Sequence, residues 1–357
     1  MIAGKSIFKP VLASVVLLLF LDASCKKGAK SPEPGTSNAS TFTNPLLQSA
    51  PDPWVFQKDS LYYYTHTLGN RIQLWKTGKM SKLATTTPVI VFNAPATGGN
   101  SRDIWAPELF FLDNKWYIYY TGTDGEDRNH RMWVLENESA DPTTGTWVNK
   151  GQLLTNPIDL WSIDATVFEH QNARYLIWSG RPFVAGTSDL TQNLYIAKMS
   201  NPFTLTGPTV KISSPQYDWE KRGFAVNEGP EILRNPAGKA FLIYSGSYCG
   251  DDRYGLGLIS LTENADPINP ASWVKSAEPV FTGLASANAY GVGHNGFFKS
   301  KDGKEDWILY HANTAAGQGC GNARNVRMQR FTWTAAGLPS FGEPVSTGQA
   351  LPVPSGE

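Results

Sequence analysis

The sequence predicts an all-β fold, a five-bladed β-propeller, from its composition, its lack of helical periodicity and an internal repeat. The 12 Trp, 14 Tyr and 17 Phe, together with 33 Gly and 24 Pro, suit short strands joined by tight turns. No stretch of the sequence sustains the apolar spacing of an amphipathic helix. These two observations restrict the fold to the all-β class, and the repeat selects the architecture.

Five segments of the chain repeat one pattern. Each begins with a polar or small group, runs into apolar residues, crosses a short polar turn and enters an aromatic-rich strand that ends at Ser, Thr, Gly or His. The segments begin at Asp52, Ala106, Asp164, Glu228 and Gly293. A spacing of 56 to 66 residues between equivalent positions is typical of propeller blades, which usually hold four strands each. A sandwich or a jelly roll would not require five equivalent hairpins.

The start of each repeat carries a residue that could do chemistry. In a propeller the innermost strand of every blade lines the central channel, so the five starts should converge on one axis. We therefore expect one funnel to contain Asp52, Glu108, Asp164, Glu228 and His294. Crowded carboxylates repel one another and lose hydration, an arrangement that is typical of active sites.

Three of these carboxyl groups could together cleave a glycosidic bond. That reaction normally needs one carboxylic acid that protonates the leaving oxygen and one carboxylate that activates water or attacks the sugar. The acid must stay protonated near neutral pH, which a third carboxylate nearby can favour by charge repulsion. Asp52, Glu228 and Asp164 supply one candidate for each role.

The motifs around these residues resemble glycoside hydrolase family 43, in order and at blade spacing. They are Ser-Ala-Pro-Asp-Pro-Trp-Val from 49, Trp-Ala-Pro-Glu-Leu from 105, Ile-Asp-Ala-Thr-Val-Phe from 163, Asn-Glu-Gly-Pro-Glu from 227 and Gly-His-Asn from 293. The resemblance implies an inverting mechanism with Asp52 as general base and Glu228 as general acid. Asp164 would hold the acid in place and raise its pKa. A calcium ion in the channel beside His294 is implied as well.

Within that family the sequence looks most similar to exo-acting α-L-arabinofuranosidases that release arabinose from arabinan or arabinoxylan. Asn227-Glu228-Gly229-Pro230 and Trp105-Ala106-Pro107-Glu108 support this interpretation. A β-xylosidase or an endo-arabinanase would share the same frame, and a non-catalytic carbohydrate-binding propeller is the alternative outside enzymes. A binding module would have no reason to hold all three carboxylates.

Four further residues are candidates for contact with the sugar. Trp54 and Trp105 flank the predicted funnel, and Glu108 starts the second repeat. Arg324 and Arg327 occupy a late strand of the fifth repeat, where alternation lets only one of them point inward, and we choose Arg324. Phe110 stands where relatives often carry His, so we expect it in the wall of the sugar pocket.

The N-terminal segment resembles a bacterial lipoprotein signal peptide, residues 1–25. Lys5 and Lys9 precede an apolar run from Val11 to Leu21 that is too short to span a bilayer core of about 30 Å, and Cys25 would be the lipidated residue. Residues 26–44 have little to bury and read as a flexible tether, which leaves 45–357 for the propeller. We predict an exported cell-envelope or secreted protein.

The charge balance of the chain restricts the kinds of partner it could bind, and two cysteines remain to be considered. With 31 basic and 31 acidic residues the chain lacks the basic excess of a nucleic-acid-binding protein. We expect a monomer that binds plant cell-wall oligosaccharide or polysaccharide and touches a membrane only through its lipid. Cys249 and Cys320 could pair in an oxidising compartment, but the sequence leaves that pairing open.

Overall fold

The computed structural model describes residues 40–155, 159–182 and 189–357. Five four-stranded antiparallel sheets follow one another along these ranges, and each sheet is built from strands that are consecutive in sequence. This is the five-bladed β-propeller that the repeat predicted. The signal peptide and most of the tether fall outside the described residues.

The strands are numbered in chain order. The N-terminal strand is β1 (Thr41–Thr43). Blades one to three consist of β2 (Trp54–Lys58), β3 (Leu61–Thr65), β4 (Arg71–Thr77), β5 (Val89–Asn93), β6 (Arg102–Leu112), β7 (Lys115–Thr123), β8 (Arg131–Asn137), β9 (Val148–Gln152), β10 (Ser162–His170), β11 (Ala173–Gly180), β12 (Asn193–Asn201) and β13 (Thr204–Ser213). Blades four and five, with the C-terminal strand, consist of β14 (Asn227–Arg234), β15 (Ala240–Gly246), β16 (Gly255–Leu261), β17 (Trp273–Lys275), β18 (Tyr290–Lys299), β19 (Asp306–Asn313), β20 (Asn325–Trp333), β21 (Pro339–Ser340) and β22 (Ala350–Pro352).

The helices in the described ranges are short 3₁₀ turns. They span Met80–Thr85, Asp127–Asn129, Asp218–Glu220, Pro270–Ser272 and Ala285–Ala287. None of these has the length and apolar character needed to cross a bilayer.

The hydrophobic core is divided into five clusters, one at each junction between adjacent blades. Tyr62 and Trp75 of the first blade, for example, pack with Trp307 and Met328 of the fifth. Trp116 packs with Tyr63 and Ile72 between the first two blades. The high aromatic content of the chain therefore serves mainly to fill these junctions, because large flat side chains remove much apolar surface from water at each one.

The two ends of the described chain meet, and this moves the predicted domain boundary. β1 pairs antiparallel with β22, and the buried Asn44 side chain exchanges two hydrogen bonds with the backbone of Met328, at 2.9 and 3.0 Å. The tether predicted to run to residue 44 therefore ends by residue 40. Sequence reasoning missed this because β1 is short and its pairing partner lies some 300 residues away.

One residue with a left-handed backbone occupies an equivalent place in each blade, just before the innermost strand in blade one and within that strand in the other four. These five residues, here called the bulge ring, are Asp52 (φ 54°), Ala106 (φ 41°), Asp164 (φ 55°), Gly229 (φ 51°) and His294 (φ 44°). In the last four blades the strand register shifts around this residue, which marks a β-bulge. A bulge of this kind re-aims side chains at the end of the channel.

The backbone N–H groups of the bulge ring point away from their own ladders and need other partners. In four cases the partner is a side chain in or just after the second strand of the preceding blade. Thr67 accepts from Ala106 at 2.7 Å, Thr121 from Asp164 at 3.3 Å, Ser245 from His294 at 2.8 Å and His311 from Asp52 at 3.1 Å. In the fourth blade Gly229 instead donates to the Asp164 carboxylate at 3.0 Å. These contacts give the Ser, Thr or His near the end of four of the five repeats a structural role.

Candidate active site

A cavity of about 550 Å³ opens at the end of the channel where the bulge ring lies. Its wall contains three bulge-ring residues, Asp52, Asp164 and His294. It also contains residues that directly precede the bulge ring, here called the entry ring: Pro51, Trp105, Ile163 and Glu228. The three carboxyl groups predicted to do chemistry therefore share one cavity.

Glu108 lies outside this cavity, contrary to the grouping that the sequence suggested. It stands two residues beyond the bulge-ring residue Ala106, at the same level as Thr166 and Glu231, and these three form a deeper layer of the channel, here called the deep ring. Glu108 and Glu231 are both buried, and burial raises the pKa of each carboxyl group well above its usual value. The sequence pattern pairs Glu108 with Asp52 because both are acidic. The backbone conformation shows that Ala106, not Glu108, is the structural counterpart of Asp52.

Of the two tryptophans expected beside the sugar, the structure places one in the cavity. Trp105 lines it and rests one face on His130, with ring centres 4.4 Å apart. Trp54 belongs to the deep-ring level, where its indole N–H donates to the carbonyl of Leu109 and its ring packs on Phe110. Trp54 and Phe110 line a separate pocket at the other end of the channel, so Phe110 is not in the wall of this cavity.

Asp52 is held as a carboxylate. Burial alone would raise its pKa, but Arg324, His294, His311 and Thr67 outweigh that effect and hold the pKa of Asp52 well below its usual value. The Arg324 guanidinium donates to Oδ1 of Asp52 at 2.6 Å, and the nearest nitrogens of His294 and His311 each lie 3.5 Å from the same oxygen. Asp52 therefore carries a negative charge at neutral and mildly acidic pH.

The pKa values of Glu228 and Asp164 are raised, in contrast to that of Asp52. Burial raises the pKa of Glu228 to about 7, and the nearby charge of Asp52 adds to this effect. Burial also raises the pKa of Asp164 to about 7, where repulsion from Glu228 and Asp52 competes with stabilisation by His294 and the Gly229 N–H. The two groups titrate as one system, so near neutral pH a proton is available in the cavity. A buried acid beside a permanent carboxylate is the pairing that general acid–base catalysis requires.

Asp164 also contacts the strand that carries Glu228. Its Oδ2 accepts the backbone N–H of Gly229, the residue that directly follows Glu228. The contact fixes the left-handed turn at Gly229 and with it the direction in which Glu228 leaves the backbone.

His294 lies in the cavity, but the residues around it do not form a protein-built calcium site. Calcium in proteins usually takes about six to eight oxygen ligands. Among the described residues no cluster of three or more His, Cys, Asp or Glu side chains is arranged to hold a metal. His294 offers one imidazole, and its Nδ1 lies against Asp52. We therefore derive no catalytic step from a metal.

Cys249 and Cys320 form a disulfide, with Cα atoms 5.2 Å apart, and both line the cavity. The bond joins the loop between β15 and β16 to the loop between β19 and β20. Arg324, the partner of Asp52, ends the second of these loops and also donates to the carbonyl of Gly321. Arg327 points away from the cavity and donates to the backbone carbonyls of Ala287 and Asn288. Arg324 lies in the loop just before β20 and not in the strand, so the predicted strand alternation does not apply to this pair.

Several residues of the site are missed by the sequence analysis, and three of these contact Glu228 or Asp52. Tyr254 donates to Oε1 of Glu228 at 2.8 Å, and His311 and Thr67 surround Asp52. His311 and Thr67 had a signal, since both follow the aromatic strand of a repeat. Tyr254 had none, because it lies in a loop at no repeated position.

Comparison with known proteins decides the family. The sequence profile described as Glycosyl hydrolases family 43 matches residues 42–339. The chain belongs to glycoside hydrolase family 43.

Individual members of family 43 resemble the chain over most of its length. An extracellular exo-α-(1→5)-L-arabinofuranosidase of Streptomyces avermitilis is 39% identical over 96% of this chain and 70% of its own length. The enzyme of the same name from Streptomyces chartreusis is 39% identical over 82% of this chain and 90% of its own length. The crystal structure of an α-L-arabinofuranosidase from Lactobacillus brevis superposes with a TM-score of 0.80 at 35% identity, covering 86% of this chain and 98% of the other.

Membership of family 43 makes the chain a glycoside hydrolase that inverts the anomeric carbon. The cavity fits that chemistry, because it holds an ionised carboxylate and a protonated carboxyl group together.

Proposed function

We propose that the protein is an exo-acting α-L-arabinofuranosidase that releases arabinose from the side chains of plant arabinan or arabinoxylan. The structural observation that carries it is that one cavity contains Asp52, bonded to Arg324, and Glu228, bonded to Tyr254. These surroundings lower the pKa of Asp52 and raise that of Glu228. The sugar is taken from the relatives that are named for arabinofuranosides and are 39% identical to this chain.

In the proposed reaction Asp52 accepts a proton from a water molecule as that water attacks the anomeric carbon. Glu228 gives its proton to the glycosidic oxygen, so the bond to the leaving sugar breaks as a neutral hydroxyl forms. Asp164 keeps the backbone beside Glu228 in place through Gly229. Arg324 holds the Asp52 carboxylate and borders the space for the sugar hydroxyls.

The test is a panel of substrates with the product followed by NMR. Aryl α-L-arabinofuranoside and arabinoxylan should be cleaved, with arabinose first appearing in the β configuration, which is the inverted one. Turnover of aryl β-xyloside alone would instead indicate a β-xylosidase, and rapid shortening of linear arabinan an endo-arabinanase. Binding without any turnover would indicate a carbohydrate-binding propeller.

Calcium beside His294 stays a prediction with its own test. One imidazole would leave most ligand positions to water, so such an ion should bind weakly and leave on dialysis against EDTA. The thermal unfolding temperature of the dialysed protein should then increase when calcium chloride is added, and His294→Ala should show no such increase. An unfolding temperature that calcium leaves unchanged in the wild type would contradict the prediction.

We also propose that the protein is exported and anchored by a lipid on Cys25. The related Streptomyces enzymes are named extracellular, and Lys5, the apolar run and Cys25 supply the order that lipoprotein processing needs. In a bacterial host the wild type should label with palmitate and sediment with membranes, whereas Cys25→Ala should not label. Equal labelling of both proteins would exclude Cys25 as the lipidated residue.

A further inference from the structure

The fifth position of the entry ring has no side chain, and another residue fills the space. Gly293 precedes His294, and a Cβ built on Gly293 would lie 2.0 Å from Cε1 of Tyr254. The Tyr254 ring therefore enters the channel from the loop before β16 only because position 293 is glycine. Tyr254 is fully buried.

Inside the channel the Tyr254 hydroxyl reaches the neighbouring entry-ring residue, Glu228. It donates a hydrogen bond of 2.8 Å to Oε1 of the Glu228 carboxyl group. In a protonated carboxyl group the carbonyl oxygen is the better acceptor, so this contact selects Oε1 as the carbonyl oxygen. The proton then resides on Oε2.

We propose that Tyr254 is a positioning residue for the general acid, which keeps the transferable proton of Glu228 on Oε2. This inference rests on the proposed function, because it assumes that Glu228 protonates the leaving group. When the proton leaves, Glu228 becomes a carboxylate and the Tyr254 hydrogen bond becomes charge-assisted and stronger. The interaction therefore favours the transition state over the bound substrate.

Tyr254 also connects the acid to the base. Its ring stacks on His311, with planes 6° apart and centres separated by 5.8 Å, and His311 accepts the backbone N–H of Asp52. His311 is buried without a described partner for its Nε2, and burial together with Arg324 holds its pKa well below the usual value. A neutral His311 can accept the backbone N–H of Asp52 at its Nδ1. The stacked rings of Tyr254 and His311 therefore contact both Glu228 and Asp52.

Tyr254→Phe tests the proposal, since it removes the hydroxyl and keeps the ring between Gly293 and His311. On methyl arabinofuranoside, whose leaving group needs a proton, kcat should fall about tenfold to a hundredfold with little change in KM. On dinitrophenyl arabinofuranoside, whose leaving group departs without a proton, kcat should fall less than about threefold. Glu228→Gln supplies the reference pattern, a larger loss with the same dependence on the leaving group.

The pH profile gives an independent readout. The groups that act on Glu228 are Tyr254, Asp52, Arg324 and Arg181, and Glu228 in turn acts on Asp164. Of these only the Tyr254 hydroxyl is removed in the variant, and it stabilises the ionised acid. The alkaline limb of kcat/KM should therefore move to higher pH in Tyr254→Phe.

The matched control is Tyr310→Phe, which removes another buried hydroxyl, bonded to Gln329 at 2.9 Å and outside the cavity wall. It should leave the leaving-group dependence and the alkaline limb as in the wild type. Equal losses on both leaving groups, or an unmoved alkaline limb, in Tyr254→Phe would overturn the proposal. If the wild type cleaves neither substrate, the proposed function has failed instead.

Discussion

Asp52 and Glu228 are both buried carboxyl groups in one cavity, yet their pKa values shift in opposite directions. The difference comes from their neighbours: Asp52 faces Arg324 and two imidazoles, whereas Glu228 faces one hydroxyl and the charge of Asp52. Burial raises both pKa values. At Asp52 the neighbouring Arg324, His294, His311 and Thr67 outweigh the effect of burial, whereas at Glu228 burial prevails. The division of roles is therefore set by contacts to residues distant in sequence.

The pH dependence of kcat/KM should follow from these two groups. Glu228 must be protonated, and its pKa is about 7, so kcat/KM should fall as the pH rises through that value. Asp52 must be ionised, and because its pKa lies well below the usual value no acidic limb should appear between pH 4 and 6, about the range of ordinary carboxyl groups. An acidic limb near pH 5 would show that Asp52 is not the base.

Neutral replacements should separate the two roles. Asp52→Asn and Glu228→Gln should each lower kcat by about 10²–10⁴ while the protein stays folded, because each removes one proton transfer. Sodium azide should restore part of the activity of Asp52→Asn by attacking without a base. Near wild-type turnover on methyl arabinofuranoside in either variant would refute that assignment.

The inner strands are also held by bonds between blades. Each bulge-ring residue donates its N–H to the preceding blade, and side chains in or just after the second strand of that blade accept four of the five. A buried donor without an acceptor costs about 1–3 kcal/mol, so these Thr, Ser and His residues stabilise the bulges that aim the catalytic side chains.

Thr121→Val should destabilise the protein by about 1–3 kcal/mol, because valine keeps the shape but cannot accept the N–H of Asp164. The matched control is Thr65→Val, since the Thr65 hydroxyl is buried without a partner among the described residues. That variant should be neutral or slightly stabilising. Urea unfolding of both proteins is the measurement, and equal effects would contradict this account of the inter-blade contacts.

The disulfide between the two cavity loops should stabilise the folded protein. Cys249 and Cys320 are 71 residues apart, and removing a bond that closes such a loop typically costs about 2–5 kcal/mol. A double variant Cys249→Ser, Cys320→Ser should lose stability by that amount and should unfold identically with and without reductant. Wild type treated with reductant should approach the variant, whereas an unfolding curve that reductant leaves unchanged would contradict the prediction.

Over the whole molecule the buried carboxyl groups should govern how stability depends on pH. Burial raises the pKa values of Glu108, Glu231, Asp164 and Glu228 above those of an unfolded chain. Such groups bind more protons in the folded protein, so their contribution is complete below about pH 4 and is lost as the pH rises through the folded pKa values. Asp52 has the opposite sign, but its contribution changes only at lower pH.

The free energy of unfolding should therefore decline between about pH 5 and pH 8, by up to about 1.4 kcal/mol per pH unit for each proton involved. Glu108→Gln should flatten this decline, because it removes one of the two buried carboxyl groups of the deep ring whose pKa is raised. The exposed Glu263→Gln is the control and should follow the wild type. Identical slopes in all three proteins would show that the deep ring does not titrate in this range.

The sequence by itself predicted the number of blades, the three carboxyl groups Asp52, Asp164 and Glu228, and the Ser, Thr, Gly or His that ends each repeat. It could do so because a strand period and a blade repeat are local patterns, visible without knowing which strands touch. The placement of Asp52, Asp164 and Glu228 in one cavity followed from that repeat alone.

Only the tertiary structure decided which level of the channel each side chain occupies. The bulges change which residues reach the cavity without changing the composition of the strands, so Glu108 lies in the deep ring although the sequence groups it with Asp52, Asp164 and Glu228. Trp54 lies at the same level of the channel, although the sequence predicts it beside the sugar. The pairing of Cys249 with Cys320, the closure of β1 on β22 and the contact of Tyr254 with Glu228 also join distant segments. Such contacts depend on the geometry of the closed ring of blades, which no local pattern contains.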